Sequence, residues 1–110
     1  MATLPASLLA AAESHPDTPF VQVWDEHDGV VQTATYANLA AAMCAAAIFL
    51  HDECGLAQGG RVAMLAHNSV AYIAISLGAM RIGGTSLNLN WRQPAAASGQ
   101  LLEGLCPVVL

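Results

Sequence analysis

Residues 59–92 read GGRVAMLAHNSVAYIAISLGAMRIGGTSLNLNWR, and this stretch has the pattern of one strand–helix–strand unit. Residues 61–66 form a nearly continuous apolar run, which is typical of a strand covered on both faces in a parallel sheet. The run stops at His67. Either Asn68 or Ser69 can then act as a helix N-cap, because its side-chain oxygen accepts a backbone N–H of the first turn. The sequence therefore predicts a strand followed directly by a helix.

The predicted helix has one apolar stripe and a clear end. Apolar residues recur at spacings of three, four and three, which places them on one side of a helix. They are Val70, Ile73, Leu77 and Met80. Gly83-Gly84 ends the periodicity, as glycine commonly does at helix C-termini. Residues 85–89 follow as the second predicted strand.

The N-terminal third of the sequence predicts a short helix and a β-hairpin. Residues 5–13 form the helix, which His15-Pro16 ends. Residues 20–24 and 30–34 are strand candidates that are rich in β-branched and aromatic residues. Asp28-Gly29 lies between them and predicts a tight reversal, since glycine adopts a positive φ without strain.

Thr35 is the predicted N-cap of a long helix that runs to about residue 53. Its principal stripe consists of Leu39, Met43, Ala46 and Leu50. The other faces carry Ala, Cys, Ile and Phe, so the helix is apolar nearly all round. Such a helix is normally buried between layers. Gly55 is predicted to close it.

The C-terminal residues predict one more helix and one more strand. The helix runs from Gln93-Pro94 to about residue 103, with proline at a tolerated first position, and residues 106–110 begin a third apolar strand. The predicted fold class is α/β: an N-terminal β-hairpin and a long buried helix, followed by a βαβαβ parallel-sheet unit. A buried-type strand at the last residues predicts an incomplete part of a larger domain.

Two motifs resemble those of a known enzyme family. Thr35-Tyr36-Ala37-Asn38-Leu39 is similar to Thr-Tyr-x-x-Leu, the first core motif of the AMP-forming adenylating enzymes, and residues 80–90 are similar to the second. Residues 59–63 and Asn68-Ser69 add to the resemblance, which covers residues 18–110. The family includes acyl-CoA synthetases, aryl-CoA ligases, luciferases and the adenylation domains of peptide synthetases.

The resemblance implies a fold and domain limits. It implies an incomplete part of the large N-terminal domain of an acyl-CoA synthetase-like fold. Residues 1–17 are the N-terminal helix and lead-in, and residues 18–110 are the start of an AMP-dependent synthetase/ligase domain, truncated before the phosphate loop. Asn90 followed by Trp91-Arg92 is more similar to acyl-CoA or aryl-CoA synthetases than to peptide-synthetase domains.

The implied activity is a two-step ligation that uses ATP, Mg²⁺ and CoA in the full-length family. A carboxylic acid substrate attacks the α-phosphate of ATP to give an acyl-adenylate, and CoA then displaces AMP. In the family a Lys-containing phosphate loop, later acidic and aromatic motifs and a second Lys stabilise the phosphate charge. This sequence has no Lys and none of those motifs.

We therefore assign no catalytic, cofactor-binding or metal-ligating residue. We expect the 110 residues alone to be inactive and to bind none of these cofactors. The alternative is a small non-catalytic α/β interaction module derived from the same family.

Two clusters have both a metal-binding and a structural interpretation. Asp25, Glu26 and Asp28 are acidic neighbours but lack the full ligand set of a calcium loop, so a solvated hairpin tip is favoured. His51 and Cys54 lie three apart at a helix end and could face one ion. No second ligand pair is in register with them, so an exposed helix end is favoured over a zinc site.

Other candidate residues are also favoured as structural. Residues 78–85 nearly fit the phosphate-loop pattern, but Gly84 replaces the Lys, and these glycines follow a helix rather than a strand. Asn68 and Asn90 lie at the carboxyl ends of predicted strands, where open α/β sheets bind ligands, yet a helix cap and a turn are the favoured roles. His67 is favoured as a structural histidine.

Composition limits the possible partners. The net charge of −5 and the absence of a basic patch argue against nucleic acid and anionic membrane surfaces. The longest apolar run, residues 39–50, is too short for a transmembrane segment, and no secretory signal is recognisable. We expect an intracellular, cytoplasmic protein with reduced cysteines. Hydrophobic residues at 55% against 10% charged predict apolar surface that the remainder of the domain or a partner covers.

Overall fold

The computed structural model describes residues 3–64, 67, 69–88 and 108–109. After an initial helix and hairpin, the described residues form two helices and three strands. Their order is α1 (Leu4–Ser14), β1 (Pro19–Asp25), β2 (Gly29–Thr35), α2 (Tyr36–Asp52), β3 (Arg61–Met64), α3 (Val70–Arg81), β4 (Thr85–Asn88) and β5 (Val108–Val109).

The predicted hairpin is confirmed, because β1 and β2 pair antiparallel. Gly29 has a φ of 74°, the conformation that a glycine after Asp28 predicted. The Asp25 carboxylate accepts the backbone N–H groups of His27 at 2.8 Å and of Asp28 at 3.1 Å. This side chain therefore stabilises the reversal by replacing backbone partners within the turn.

The start of α2 is fixed by a reciprocal capping box. The Thr35 hydroxyl accepts the Asn38 N–H at 3.1 Å, and Asn38 Oδ1 accepts the Thr35 N–H at 3.2 Å. Next to this cap the Tyr36 ring stacks on Phe20 of β1, with ring centroids 4.5 Å apart. Leu39 is fully buried. Thr35 and Leu39 thus act as the cap and the core side chain that the sequence predicted, and Tyr36 adds an aromatic contact.

α2 is buried along one face rather than all round. Its buried residues are Leu39, Ala40, Met43, Ala47 and Leu50. On the opposite face Ile48 is 63% exposed and Phe49 is 45% exposed. The predicted burial therefore holds for one side only, because α1 and α3 pack against a single side of this helix within the described residues.

The end of α2 returns the chain to the core. Gly55 has a φ of 68°, so it lets the backbone reverse without strain. The Leu56 N–H then donates to the Leu50 carbonyl at 2.8 Å, and both leucine side chains are buried. The predicted closing role of Gly55 is confirmed.

The strand–helix–strand unit forms as predicted, but Met80 of the predicted apolar stripe is 44% exposed, because α3 buries Ala74, Leu77, Gly78 and Ala79 instead. Ser69 is the N-cap of α3, since its hydroxyl accepts the Tyr72 N–H at 3.1 Å. After α3, Gly83 has a φ of 81°, and the Gly84 N–H donates to the Ala79 carbonyl at 2.8 Å. The two glycines form the helix-ending turn that leads into β4.

β3 is the central strand of a parallel sheet, with β4 on one side and β5 on the other. In register, Val62 lies opposite Ser86 and Val108. Val62 and Ala63 are fully buried, as the continuous apolar run predicted. The helix predicted for residues 93–103 lies outside the described residues. The α/β class and the parallel sheet are confirmed.

Two packed clusters hold these elements together. One lies between α1, α2, α3 and the hairpin; its largest members are Leu8, Leu39, Met43 and Leu77. The other joins the end of α2 to β3 and α3; it contains Leu50, Leu56, Val62, Met64 and Ala79. Among the described residues no helix combines the length and the apolar character needed to cross a bilayer.

Candidate functional site

The carboxyl edge of the parallel sheet is the place where an open α/β sheet binds ligands. β3 ends at Met64 and β4 ends at Asn88, and these two residues lie opposite each other in the register. His67 follows β3 and is exposed. Asn68 and Asn90, the other two residues that the sequence placed at this edge, lie outside the described residues.

A short polar chain connects α3 to this edge. The Ser86 hydroxyl of β4 lies 2.7 Å from Asn88 Oδ1 and 3.2 Å from the Ser76 hydroxyl of α3. Ser76 also lies 3.5 Å from the Met64 sulfur. A hydroxyl carries one proton, so the shorter contact makes Ser86 the donor to Asn88. The chain orients the Asn88 amide and links both strand ends to the helix.

The N-terminus of α3 faces the same edge, but two of its first-turn N–H groups already have partners. Ser69 caps the Tyr72 N–H, and Gln32 Oε1 of β2 accepts the Val70 N–H at 2.8 Å. A helix N-terminus binds anions through free N–H groups. Here the hairpin supplies an acceptor instead, so this end of α3 serves to anchor β2.

The glycine turn after α3 does not have the geometry of a phosphate loop. It follows a helix and precedes a strand, whereas a phosphate loop lies between a strand and the N-terminus of a helix. A Cβ at Gly84 would lie 3.0 Å from Leu56 Cδ2 and 3.2 Å from the Ala79 carbonyl oxygen. The glycine is therefore explained by close packing inside the protein.

Neither of the two candidate metal sites has a complete set of ligands among the described residues. The Asp25 carboxylate is occupied by the two backbone N–H groups of the hairpin turn. His51 Nδ1 lies 2.8 Å from Asp52 Oδ1, and both side chains are exposed. Across residues 3–64, 67 and 69–88, no three His, Cys, Asp or Glu side chains are grouped closely enough to hold an ion. Cys44 and Cys54 are half-buried free thiols.

The described residues do not fit ATP or Mg²⁺ either. Binding a triphosphate requires a cradle of backbone N–H groups with a cation beside it. In the part of the chain that the structure describes, the positively charged side chains are Arg61 and Arg81, at the beginning of β3 and at the end of α3. Both positions are at the opposite ends of their elements from the carboxyl edge.

Sequence reasoning missed the Ser76–Ser86 contact. The available signal was one serine inside the mostly apolar helix α3 and a second serine inside the short strand β4. A polar side chain in a half-buried position normally has a hydrogen-bond partner. The pattern could flag both serines, but only the tertiary packing of α3 on β4 shows that they meet.

Comparison with known families gives the class of protein. The profile of the family described as AMP-binding enzyme matches residues 8–110. This match covers nearly the whole sequence, so the chain belongs to the AMP-binding enzyme family. The resemblance to AMP-forming adenylating enzymes, which was inferred from the two core motifs, is confirmed.

Solved structures agree with this assignment. An inhibitor-bound N-terminal domain of FACL13 from Mycobacterium tuberculosis is 26% identical with a TM-score of 0.85, over 99% of this chain and 26% of that one. A fatty acyl CoA synthetase from the same organism is 26% identical with a TM-score of 0.82, over 96% of this chain and 20% of that one.

A third structure shows the fold alone. The NpsA N-terminal subdomain of Klebsiella oxytoca is 23% identical with a TM-score of 0.79, and the match covers 97% of this chain and 26% of that one. The chain thus spans about a quarter of the length of the solved domains that it matches. The predicted likeness to an acyl-CoA synthetase N-terminal domain is confirmed.

Proposed function

We propose that this chain is the N-terminal part of an ATP-dependent ligase that activates a carboxylate as an acyl-adenylate and transfers it to CoA. The observation that carries the proposal is the family match over residues 8–110, together with the likeness to acyl-CoA synthetase domains over nearly the full chain. Asn90-Trp91-Arg92 favours the acyl-CoA or aryl-CoA branch.

Within such an enzyme these residues would serve as scaffold. Parallel strands β3 and β4 bring Met64 and Asn88 to one edge, and the serine pair holds that edge against α3. The charge of a transferring phosphate must be balanced by cations and N–H donors. Those groups would come from parts of the enzyme beyond these 110 residues. We therefore propose that the chain alone does not catalyse adenylation and does not bind ATP, Mg²⁺ or CoA.

The proposal also concerns the partners, the cellular location and the domain limits of the chain. The apolar surface would be covered by the rest of the synthetase domain, and no nucleic acid is expected as a partner because the net charge is −5. The cytoplasm is the proposed location. The division into a lead-in of residues 1–17 and a synthetase domain from residue 18 stays a prediction.

The second candidate is a non-catalytic interaction module. Large apolar side chains support it: Trp24 is 69% exposed, Ile48 is 63% exposed and Val31 is 50% exposed. Exposed apolar patches mark binding surfaces for other proteins. The same side chains would be covered in a complete synthetase, so exposure fits both candidates.

The reading frame beyond Leu110 separates the two. Sequencing of the native transcript should show continuation into a Ser/Thr/Gly-rich loop that contains a Lys. The expressed full product should then support carboxylate-dependent ATP–pyrophosphate exchange, and replacement of that Lys by Ala should abolish it. The 110-residue chain is the matched negative control. A stop codon directly after Leu110 in abundant message would overturn the ligase proposal in favour of the interaction module.

A further inference from the structure

An apolar cavity of about 380 Å³ lies on the side of the molecule where α1 meets the hairpin. Four elements form its walls: α1, the beginning of β1, the first turns of α2, and α3. Its principal lining residues are Leu4, Leu8, Phe20, Tyr36, Ile73 and Leu77. None of the residues at the carboxyl edge of the sheet contributes to it. The volume falls within the range of about 300–1,000 Å³ that is typical of small-molecule sites.

The cavity has a buried floor and an open mouth. Leu8 and Leu77 are only 5% and 7% exposed, whereas Leu4 is 60% exposed and Phe20 is 49% exposed. A small molecule can therefore enter without separating packed elements. The floor offers it apolar surface that it would otherwise keep in contact with water.

The chemistry of the lining selects the kind of occupant. No charged side chain contributes to the walls, so burial of an ionised ligand there would be uncompensated. The rings of Phe20 and Tyr36 lie 4.5 Å apart at 14° and present an aromatic surface beside the aliphatic floor. The polar side chains of the lining are Ser7 and Tyr36, each with a neutral hydroxyl. A planar ring with a single hydrogen-bonding group fits this combination.

We propose that this cavity is a binding site for an uncharged aromatic small molecule, distinct from the carboxyl edge of the parallel sheet. The walls of the site come from α1, β1, α2 and α3, and no catalytic or cofactor-binding role is assigned to any of the lining residues. The proposal therefore stands or falls independently of the ligase function.

Indole is a suitable probe, because it is neutral and planar and has one N–H donor. Methyl-resolved NMR of the 110-residue chain should show saturable shifts at Leu8, Ile73 and Leu77 with a dissociation constant of about 1 mM or tighter. The Ile48 methyl groups, on the exposed face of α2, should not shift. Cyclohexanol should bind more weakly, because it lacks the aromatic face.

Two variants test the location. Ala11 lines the cavity, so Ala11→Leu should fill it and weaken indole binding by about tenfold or more, equal to about 1.4 kcal/mol. Ala45→Leu, on the exposed face of α2, is the matched control and should bind as the wild type does. Phe20→Leu keeps an apolar side chain but removes one ring, and should weaken indole more than cyclohexanol.

Several outcomes would overturn the proposal. One is that indole shifts the Ile48 methyl signals as much as those of the cavity residues. Another is that Ala11→Leu binds indole with unchanged affinity, and a third is that cyclohexanol binds as tightly as indole. Cavity methyl groups that shift with protein concentration alone would identify a second copy of the chain as the occupant. Methyl groups of Ile73 and Leu77 without chemical-shift dispersion would mean that the cavity does not form in the chain.

Discussion

Gly78 of α3 lies close to the backbone of α2. A Cβ at this position would lie 2.9 Å from the Ala47 backbone nitrogen, 3.0 Å from Ala46 Cβ and 3.1 Å from the Met43 carbonyl oxygen. Two of these neighbours are backbone atoms and cannot swing away. We expect Gly78→Ala to destabilise the fold by about 1–2 kcal/mol net, since overpacking outweighs the gain of about 1 kcal/mol in helix propensity.

Denaturant unfolding followed by circular dichroism measures this effect. Ala71→Ser, on the exposed side of the same helix, is the control and should change the free energy of unfolding by less than about 0.5 kcal/mol. A Gly78→Ala chain that is more stable than the wild type would show that the helices do not touch at this point.

Thr35 begins α2 through its side chain as well as its backbone. Its hydroxyl accepts the Asn38 N–H at 3.1 Å, and this bond supplies a partner that the first turn otherwise lacks. We expect Thr35→Ala to lower the free energy of unfolding by about 1 kcal/mol, whereas Thr35→Ser, which retains the hydroxyl, should cost much less. Equal losses in the two variants would contradict a role for the hydroxyl and point to the lost methyl contacts.

Local chemistry explains why the caps and turns could be predicted at the residue scale. Thr35, Ser69 and Gly55 act on neighbours within a few residues, so their roles depend on the adjacent sequence alone. Ser76 and Ser86 meet across ten positions and two elements, so no local pattern pairs them. The choice between Asn68 and Ser69 as cap also required the structure, because both side chains can accept the same N–H.

At the scale of elements, a hydrogen bond between Gln32 and Val70 joins the hairpin to α3. Gln32 Oε1 accepts the Val70 N–H at 2.8 Å. We expect Gln32→Leu to move the Val70 amide proton upfield and to increase its hydrogen-exchange rate several-fold, because the amide is then left to water. Gln22→Leu, at an exposed position of β1, is the matched control. An unchanged Val70 amide would mean that the contact does not form in solution.

The burial of α2 shows what a periodic apolar pattern can and cannot predict about the faces of a helix. Of the predicted stripe, Leu39, Met43 and Leu50 are fully buried on the face that packs on α1 and α3, whereas Ala46 is only half-buried. Because the remaining faces are also apolar, periodicity alone could not say which side has no partner within the described residues. The 45% and 63% exposure of Phe49 and Ile48 depends on where neighbouring elements end, which is a tertiary property.

At the scale of the whole molecule, the order of the strands explains which strand is buried, and the apolar composition explains the exposed apolar side chains. The order β4-β3-β5 puts β3 in the centre, and its Val62, Ala63 and Met64 side chains are buried, as expected of a parallel sheet with both faces covered. The cavity between α1 and the hairpin was not predicted, because its ten lining residues come from four elements that are distant in sequence.

The outward face of α2 provides the last test of this arrangement. Replacement of Ile48 and Phe49 by Glu and Lys should leave the free energy of unfolding within about 0.5 kcal/mol, because these side chains contribute to surface rather than to core. The same double variant should bind less of a fluorescent apolar dye and remain soluble at higher concentration, since a continuous apolar patch is removed. Leu39→Lys is the matched contrast, because Leu39 is fully buried and an unpaired charge there should unfold the chain. A double variant that unfolds as Leu39→Lys does would show that both faces of α2 are packed within these 110 residues, which would contradict the one-sided core.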